Sequence, residues 1–358
     1  MKILFPKDSR KQIYSDAINN NAPKDFFYGS ISSPNFDIDN SVINTRPSKS
    51  DLNISILNRL INKYFNLNFS KKKAEFLFKS IPLNSRVLSF TDWDSMNIAV
   101  FHNLRKDLKM ICGFHGLYNF YKRTPKSFIS SKKKYFSKAL NNMYHIFFFG
   151  PEDRNKCIKF FNIPKKKTSI YRFGVDTDFW RKFEKYENNI DVLSIGSDMH
   201  RNYSIFNEMR IDFNLTLITR LNVKQLSKKA KILSGSKNEP SLTDNELRNY
   251  YNKSKIIVIP LRETLQPSGY SVALQAMACG KPVIMTKIKG LWDSQIFKNM
   301  KNIIFVPPNN PEKLYSSIRS LLNNPMHRSE ISIEARKTAL NYFSLERMNQ
   351  DFKKLTVI

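Results

Sequence analysis

From about residue 168 onward, short apolar runs alternate with helix-length stretches, and that alternation leaves few folds open. The runs Asp191–Ile195, Asn214–Thr219, Lys229–Leu233, Ile256–Leu261, Pro282–Thr286 and Ile303–Val306 have strand length and strand composition. Helices are predicted between several of them, over Thr243–Asn252, Ser271–Ala278 and Pro311–Leu322. Short strands apolar on both faces, joined by helices, predict a parallel sheet with helices packed on both sides. The first half reads similarly but less regularly. Strands are expected at Met1–Phe5, Arg86–Phe90, Lys109–Phe114, His145–Phe149 and Thr168–Phe173. Helices are expected at Asp51–Phe65, from a cap at Asp94 or Ser95 to Leu104, over Ser130–Met143, and from Pro151. Residues 7–50 read mostly as loops.

The length of 358 residues accommodates two such domains. Hydrophobic residues make up 41% of the chain, enough for ordinary cores and too many for a disordered basic tail. The formal net charge of +29 invites an acidic partner: nucleic acid, an anionic membrane or a phosphorylated small molecule. It does not choose among them, because Lys, Asn and Ile are abundant along the whole chain, as an A/T-rich coding bias would also produce. The three cysteines, Cys112, Cys157 and Cys279, are far apart, which argues against a disulfide scaffold or a Cys-rich zinc site. No run of 18 apolar residues exists and no signal-peptide core precedes Pro6, so a cytoplasmic location is expected. The histidines show no metal-ligand spacing, and no metal site is expected.

In open α/β sheets, ligands bind beyond the carboxyl ends of the strands. The segment Ile256–Thr286 reads as strand, polar loop, helix, glycine turn and strand. Ser268, Gly269, Tyr270 and Ser271 fall where that helix begins, and backbone N–H groups at a helix start bind phosphates. Gln275 lies one turn further in, where its amide would grip a ribose hydroxyl. An ordinary strand–loop–helix unit without a ligand explains the same glycine and serine. In the first half, His115 follows a strand between Gly113 and Gly116, where it suits either a ligand contact beyond the strand end or a structural role. Asp92 and Asp94 follow the preceding strand; either suits ligand hydroxyls or a general base, and Asp94 equally suits a helix cap. Lysine clusters at Lys71–Lys73, Lys132–Lys134 and Lys165–Lys167 read either as solvated surface or, with Tyr135 and Phe136, as a basic amphipathic face for an anionic membrane.

The run Ser271–Ile284 (SVALQAMACGKPVI) resembles the motif GxxxLEAMAxGxPVI of family 4 glycosyltransferases, within glycosyl transferases group 1. Ile170–Trp180 resembles the "NGVD…F" interdomain motif of that family, and Val192–Gly196 the first strand of its donor domain. Leu247–Tyr251 followed by Ile256–Pro260 matches a further stretch, so the likeness covers roughly residues 168–345 in order. The resemblance implies an α/β protein with two Rossmann-like domains facing a central cleft (GT-B type). It implies no metal and no cofactor, the nucleoside-diphosphate sugar being the donor substrate. Carried over, Gly196 opens the donor phosphate loop, Arg201 grips the diphosphate, and Arg220 is a second cation for it. Family members often place a donor-facing histidine where His115 stands. Two departures stand out. The family usually has an Arg just after the glycine matched by Gly196 and a Lys five residues later, where this chain reads Ser197-Asp198-Met199-His200-Arg201. The two family glutamates fall on Pro267 and Gln275, and the nearest carboxylate is Glu263.

The sequence therefore predicts an acceptor-binding domain at 1–180, a nucleotide-sugar domain at 181–343, and a helix at 344–358 crossing back to the first domain. The expected function is a retaining hexosyltransferase acting on a glycan or lipid-linked acceptor in polysaccharide or lipopolysaccharide biosynthesis. His115, Asp92 and Glu263 are the catalytic candidates; Gly196, Arg201, Arg220, Ser268–Ser271 and Gln275 are the donor-binding ones. Two alternatives stay open: an inactive transferase-like glycan-binding protein, and a basic nucleic-acid-binding protein. Nucleic acid is the less favoured partner, because no binding motif accompanies the charge.

Overall fold

The computed structural model describes residues 1–4, 13–33, 36–42, 71–122, 129–184, 186–223, 226, 229–235, 242–291 and 293–358. The helix expected at Asp51–Phe65 lies outside them. The chain forms two compact units. The first comprises Met1–Ser15, Ser30–Tyr171 and Asp351–Ile358; the second comprises Asp16–Gly29 and Arg172–Gln350.

In the first unit, strands β1 (Lys2–Leu4), β2 (Arg86–Ser89), β3 (Lys109–Phe114), β4 (His145–Phe148) and β5 (Thr168–Ile170) form a parallel sheet in sequence order. Every residue of β4 is buried, as are all but the first of β3. That burial on both faces is why these strands read as continuous apolar runs rather than alternating ones. The second unit holds β6 (Ile190–Ile195), β7 (Leu215–Thr219), β8 (Ala230–Ser234), β9 (Ser254–Ile259), β10 (Val283–Thr286) and β11 (Ile304–Val306). They are parallel throughout and ordered β11-β10-β9-β6-β7-β8. The chain leaves β6 toward β7 and β8, then returns to add β9 on the other side of β6. This is the doubly wound arrangement, and its switch point lies between β6 and β9. Val192, Leu217, Ile256 and Val258 bury one face of this sheet with Leu314, Ile318 and Leu321 of the helix Pro311–Asn323.

Several local expectations are revised. The helix after β2 runs Asp92–Val100 and is capped by Thr91, whose hydroxyl accepts the Asp94 N–H; neither Asp94 nor Ser95 is the cap. Asp94 sits buried in the first turn and pairs with Lys73 at 2.5 Å. The sequence pattern missed the helix Pro325–Phe343. Its buried face is Ile331, Ala335, Thr338, Ala339 and Phe343, too poor in large apolar residues to show a clear period. The basic helix runs Ile129–Asn142. Lys132 and Phe136 turn inward, with the Lys132 ammonium on the Tyr121 carbonyl and 4.3 Å over the Tyr121 ring. Burial pushes the Lys132 ammonium down to about 8. Only Lys133, Lys134 and Tyr135 of that cluster face water.

Candidate functional site

Two loops meet at the switch point of the second sheet. The loop leaving β6 runs from Gly196 to Arg201, and the loop leaving β9 from Pro260 to Gly269. Backbone bonds tie them together: Asn202 N–H to the Pro260 carbonyl at 3.0 Å, and Arg262 N–H to the His200 carbonyl at 2.7 Å. The Asp198 carboxylate adds a side-chain link, accepting the Ser268 hydroxyl at 2.5 Å and the His200 N–H at 3.0 Å.

The Arg201 side chain is laid across this junction between two glycines. A Cβ at Gly196 would run into the guanidinium, and one at Gly269 would come within 2.9 Å of Nη1 and 2.8 Å of Ile259. Both glycines have positive φ, +138° and +78°. The first position therefore needs glycine for close approach, and the second also for its left-handed backbone. The guanidinium is 98% buried at its side chain, and its nearest carboxylate, Asp198, lies 3.4 Å from Nη1. Nε and Nη1 are buried and make no hydrogen bond. A buried charged group with unused donors is costly, and native structures seldom leave one without a reason.

Gly269 is also the N-cap of the helix Tyr270–Ala278 and offers no side chain to cap it. By helix geometry the N–H groups of Ser271 and Val272 have no intrahelical carbonyl to bond, and the positive end of the helix dipole points the same way. Arg220, exposed at the end of β7, sits beside the loop: its N–H bonds the Ser197 hydroxyl at 2.9 Å. Thus Gly196, Arg201, Ser268, Gly269 and Ser271 converge, with Arg220 adjacent. Tyr270 is buried, its hydroxyl donating to the Phe173 carbonyl at 3.2 Å.

Two residues are placed otherwise. Gln275 is drawn inward: its amide nitrogen donates to Asp25 at 2.9 Å and its oxygen accepts the Tyr251 hydroxyl at 3.2 Å. One donor and one acceptor of the amide are therefore used inside the protein and not on a ribose. Glu263 is exposed and held against the Lys289 N–H at 2.8 Å. Asp25, which no sequence signal picks out, is the hub behind Gln275. It also accepts the Trp180 indole N–H at 2.8 Å and the Asp176 N–H at 2.6 Å. Desolvation raises its carboxyl to about 7 despite those three donors.

In the first unit, His115 and Asp92 stand together at the carboxyl ends of β3 and β2. The Asp92 carboxylate accepts the His115 N–H at 2.8 Å. The imidazole stacks on Phe149, ring centroids 4.0 Å apart, and its Nε2 lies 3.1 Å from the Phe90 carbonyl. A carbonyl only accepts, so this contact puts the proton on Nε2. Burial lowers the imidazole's affinity for a second proton, so the ring is neutral and Nδ1 is its accepting atom. The Phe90 carbonyl thus engages the one proton that His115 was expected to offer a sugar or phosphate. Asp153, which sequence reading noted only as a helix-start acid, is fully buried nearby. It takes the N–H groups of Leu117 and Tyr118 at 2.9 and 3.0 Å, and burial raises its carboxyl to about 7. Among the described residues no cluster of three His, Cys, Asp or Glu is arranged for a metal, and no helix is long and apolar enough to cross a membrane.

Two parallel α/β units, the second doubly wound, match the GT-B architecture of solved glycosyltransferase structures. Sucrose-phosphate synthase from Thermosynechococcus elongatus superposes with a TM-score of 0.67 at 15% identity, covering 88% of this chain and 82% of that one. HepE from Anabaena, solved with UDP and glucose, superposes with a TM-score of 0.62 at 14% identity, covering 76% and 78%. At these identities the likeness is one of fold. Residues 207–338, all within the second unit, match the sequence model of Glycosyl transferases group 1. An uncharacterized glycosyltransferase of Methanocaldococcus jannaschii is 30% identical over 105 residues, 29% of this chain and 26% of that relative. A second from the same organism is 31% identical over 112 residues, 31% and 30% of the two chains. The chain thus spans less than a third of the curated relatives it matches.

Proposed function

We propose that this protein is a glycosyltransferase that takes its sugar from a nucleoside-diphosphate donor held by the second unit. The observation that carries the reading is the Arg201 guanidinium, buried at the switch point between Gly196 and Gly269 with Nε and Nη1 unbonded. A diphosphate lying on the loop at Gly196 and the helix start at Gly269–Ser271 meets that charge, the helix dipole and the exposed Arg220 together. HepE was solved with UDP-glucose, which supports a nucleotide sugar as the ligand of such a fold.

In the reaction, the bond from the anomeric carbon to the diphosphate oxygen breaks and the acceptor oxygen bonds that carbon. The acceptor proton passes to a base or to the departing diphosphate. Negative charge grows on the diphosphate as it leaves, so preset donors and cations there lower the barrier; this is the main catalytic term we assign. His115 and Asp92 are assigned to the sugar and acceptor side, with His115 accepting a hydroxyl proton through Nδ1. The finer reading is a retaining hexosyltransferase with a glycan or lipid-linked acceptor in polysaccharide or lipopolysaccharide biosynthesis. The donor is a substrate, and no resident cofactor or metal is invoked. A cytoplasmic location suits such a donor, and Lys133, Lys134 and Tyr135 offer a small peripheral contact for an anionic membrane.

Isothermal titration with UDP, ADP and GDP and their glucose derivatives tests the donor assignment. Saturable binding of at least one is expected; a folded sample that binds none overturns it. A second reading, a donor-binding protein without transfer, draws on the missing carboxylates at Pro267 and Gln275 and on Glu263 being held at Lys289. It predicts donor binding with no release of nucleoside diphosphate in the presence of any acceptor.

A further inference from the structure

The opposite end of the second sheet carries a cavity unconnected with the switch point. It has a volume of about 220 Å³ and lies where β9 and β10 begin, against the first turns of the helix Pro325–Phe343. The six residues of β9 separate the two places by roughly 20 Å at about 3.3 Å per residue. Lys182, Lys255, Lys281 and Arg328 line it with the hydroxyls of Ser329 and Ser332, and no carboxylate among the described residues does. Two of those cations have acidic partners outside it: Lys255 pairs with Asp191 and Lys182 with Glu184, both at 2.7 Å.

The other two have none among the described residues. Lys281 is 93% buried, and its ammonium rests on neutral oxygens, Asn188 Oδ1 at 2.9 Å and the Asn252 carbonyl at 2.8 Å. An ammonium carries three donors, so one is left over. Arg328 Nη1 meets only the carbonyls of Leu321 and Leu322, at 2.9 and 3.3 Å. Desolvation pushes Lys281 down to about 8; Lys182 and Arg328 add repulsion, while Cys279 and Glu184 act in the opposite direction. An ammonium buried with no carboxylate bonded to it is costly, and a bound anion offsets that cost.

We propose that this cavity is a second anion site that takes a phosphate group, either as the free ion or as the end of a small phosphomonoester. The volume falls below the roughly 300–1,000 Å³ of pockets that enclose drug-sized ligands, which favours one phosphate over a whole nucleotide sugar. The four cations around a single cavity suit tetrahedral oxyanion chemistry.

Equilibrium dialysis with radiolabelled inorganic phosphate at constant ionic strength tests it, repeated with glycerol phosphate in competition. Wild-type protein is expected to hold one equivalent saturably. Lys281→Met, and Ser329→Asp at an exposed helix position, are each expected to weaken binding at least tenfold with unchanged circular dichroism. Should Lys281→Met not fold, Ser329→Asp decides alone. Competition by glycerol phosphate below the concentration of free phosphate needed assigns the site to phosphomonoesters; the reverse order assigns it to the ion. Absence of saturable phosphate in the wild type, or binding undiminished by Ser329→Asp, overturns the proposal.

Discussion

Replacing Arg201 by Met separates a residue kept for a ligand from one kept for the fold. The methionine stem fills the groove between Gly196 and Gly269 that the arginine stem now fills, and only the charged head is lost. Two buried N–H donors, Nε and Nη1, lack acceptors, and each such group costs about 1–3 kcal/mol. Against this stands one ion pair to Asp198, 3.4 Å long, whose carboxylate side chain is 34% exposed. A pair so open to water contributes about 0–1 kcal/mol. After the change Asp198 stays solvated and keeps Ser268 and His200. The balance, about 2–6 kcal/mol relieved against about 0–1 lost, predicts that Arg201→Met raises stability by about 1–6 kcal/mol. Urea unfolding followed by circular dichroism reads that directly; for a domain of 150–250 residues each kcal/mol also moves the melting temperature about 2–4 °C. Titration of the same sample with nucleoside diphosphate is expected to show binding weakened by more than tenfold. A variant destabilised by more than about 2 kcal/mol that still binds donor refutes the reasoning, because Arg201 is then a structural element only.

Three further outcomes are expected. Gly269→Ala forces a Cβ onto Ile259 and Arg201 at φ +78°, so it is expected to lose about 2–4 kcal/mol in urea unfolding and most donor affinity; a loss under 1 kcal/mol contradicts the packing described. Asp198→Asn keeps an acceptor for the Ser268 hydroxyl but removes the negative charge beside the diphosphate loop, so titration should show tighter nucleoside-diphosphate binding, and weaker binding would count against that placement. Asp25 holds its proton to about pH 7 when folded and to about 4 when unfolded, so the folded state binds more protons and its stability falls as pH rises between those values. Relative to wild type, Asp25→Asn should therefore gain about 1.4 kcal/mol per pH unit from pH 4.5 to 7, and parallel pH profiles for the two proteins would rule out the raised carboxyl.

The second sheet was readable because its inner strands are buried on both faces: Ile256–Leu261 and Pro282–Thr286 announce themselves as unbroken apolar runs, and the structure moves their ends by one or two residues. The helix start at Gly269 was legible from one glycine before an apolar helix. Other features were hidden for physical reasons. The helix Pro325–Phe343 buries Ala and Thr, so its period carries little weight. Thr91 and Asp94 both suit a cap; in the structure the Asp94 carboxylate is taken up by the Thr91 hydroxyl and by Lys73, 21 residues away. Gln275 points to Asp25, 250 residues distant, and no local pattern encodes such a bond. The tautomer of His115 depends on the Phe90 carbonyl, a backbone atom that residue identity does not reveal.

Neither unit is a continuous piece of chain. Asp25 reaches the second unit from the first thirty residues, and Thr356 closes the first unit by accepting Arg86 Nη1 at 2.6 Å. A ribosome making this protein finishes the sheet β1–β5 long before the residues that complete that unit emerge. Residues 16–29 must likewise wait for Trp180 and Gln275 before their carboxylate is enclosed. Folding of the first unit is thus expected to wait for residues 351–358, and that of the second for the residues up to Gln350, both being slowed by these long loop closures. Cutting the chain at Tyr171 would not yield two domains. It would strand the indole of Trp180 and the N–H of Asp176 without their acceptor, and a fragment of residues 172–350 should bind the dye ANS as a loosened core does.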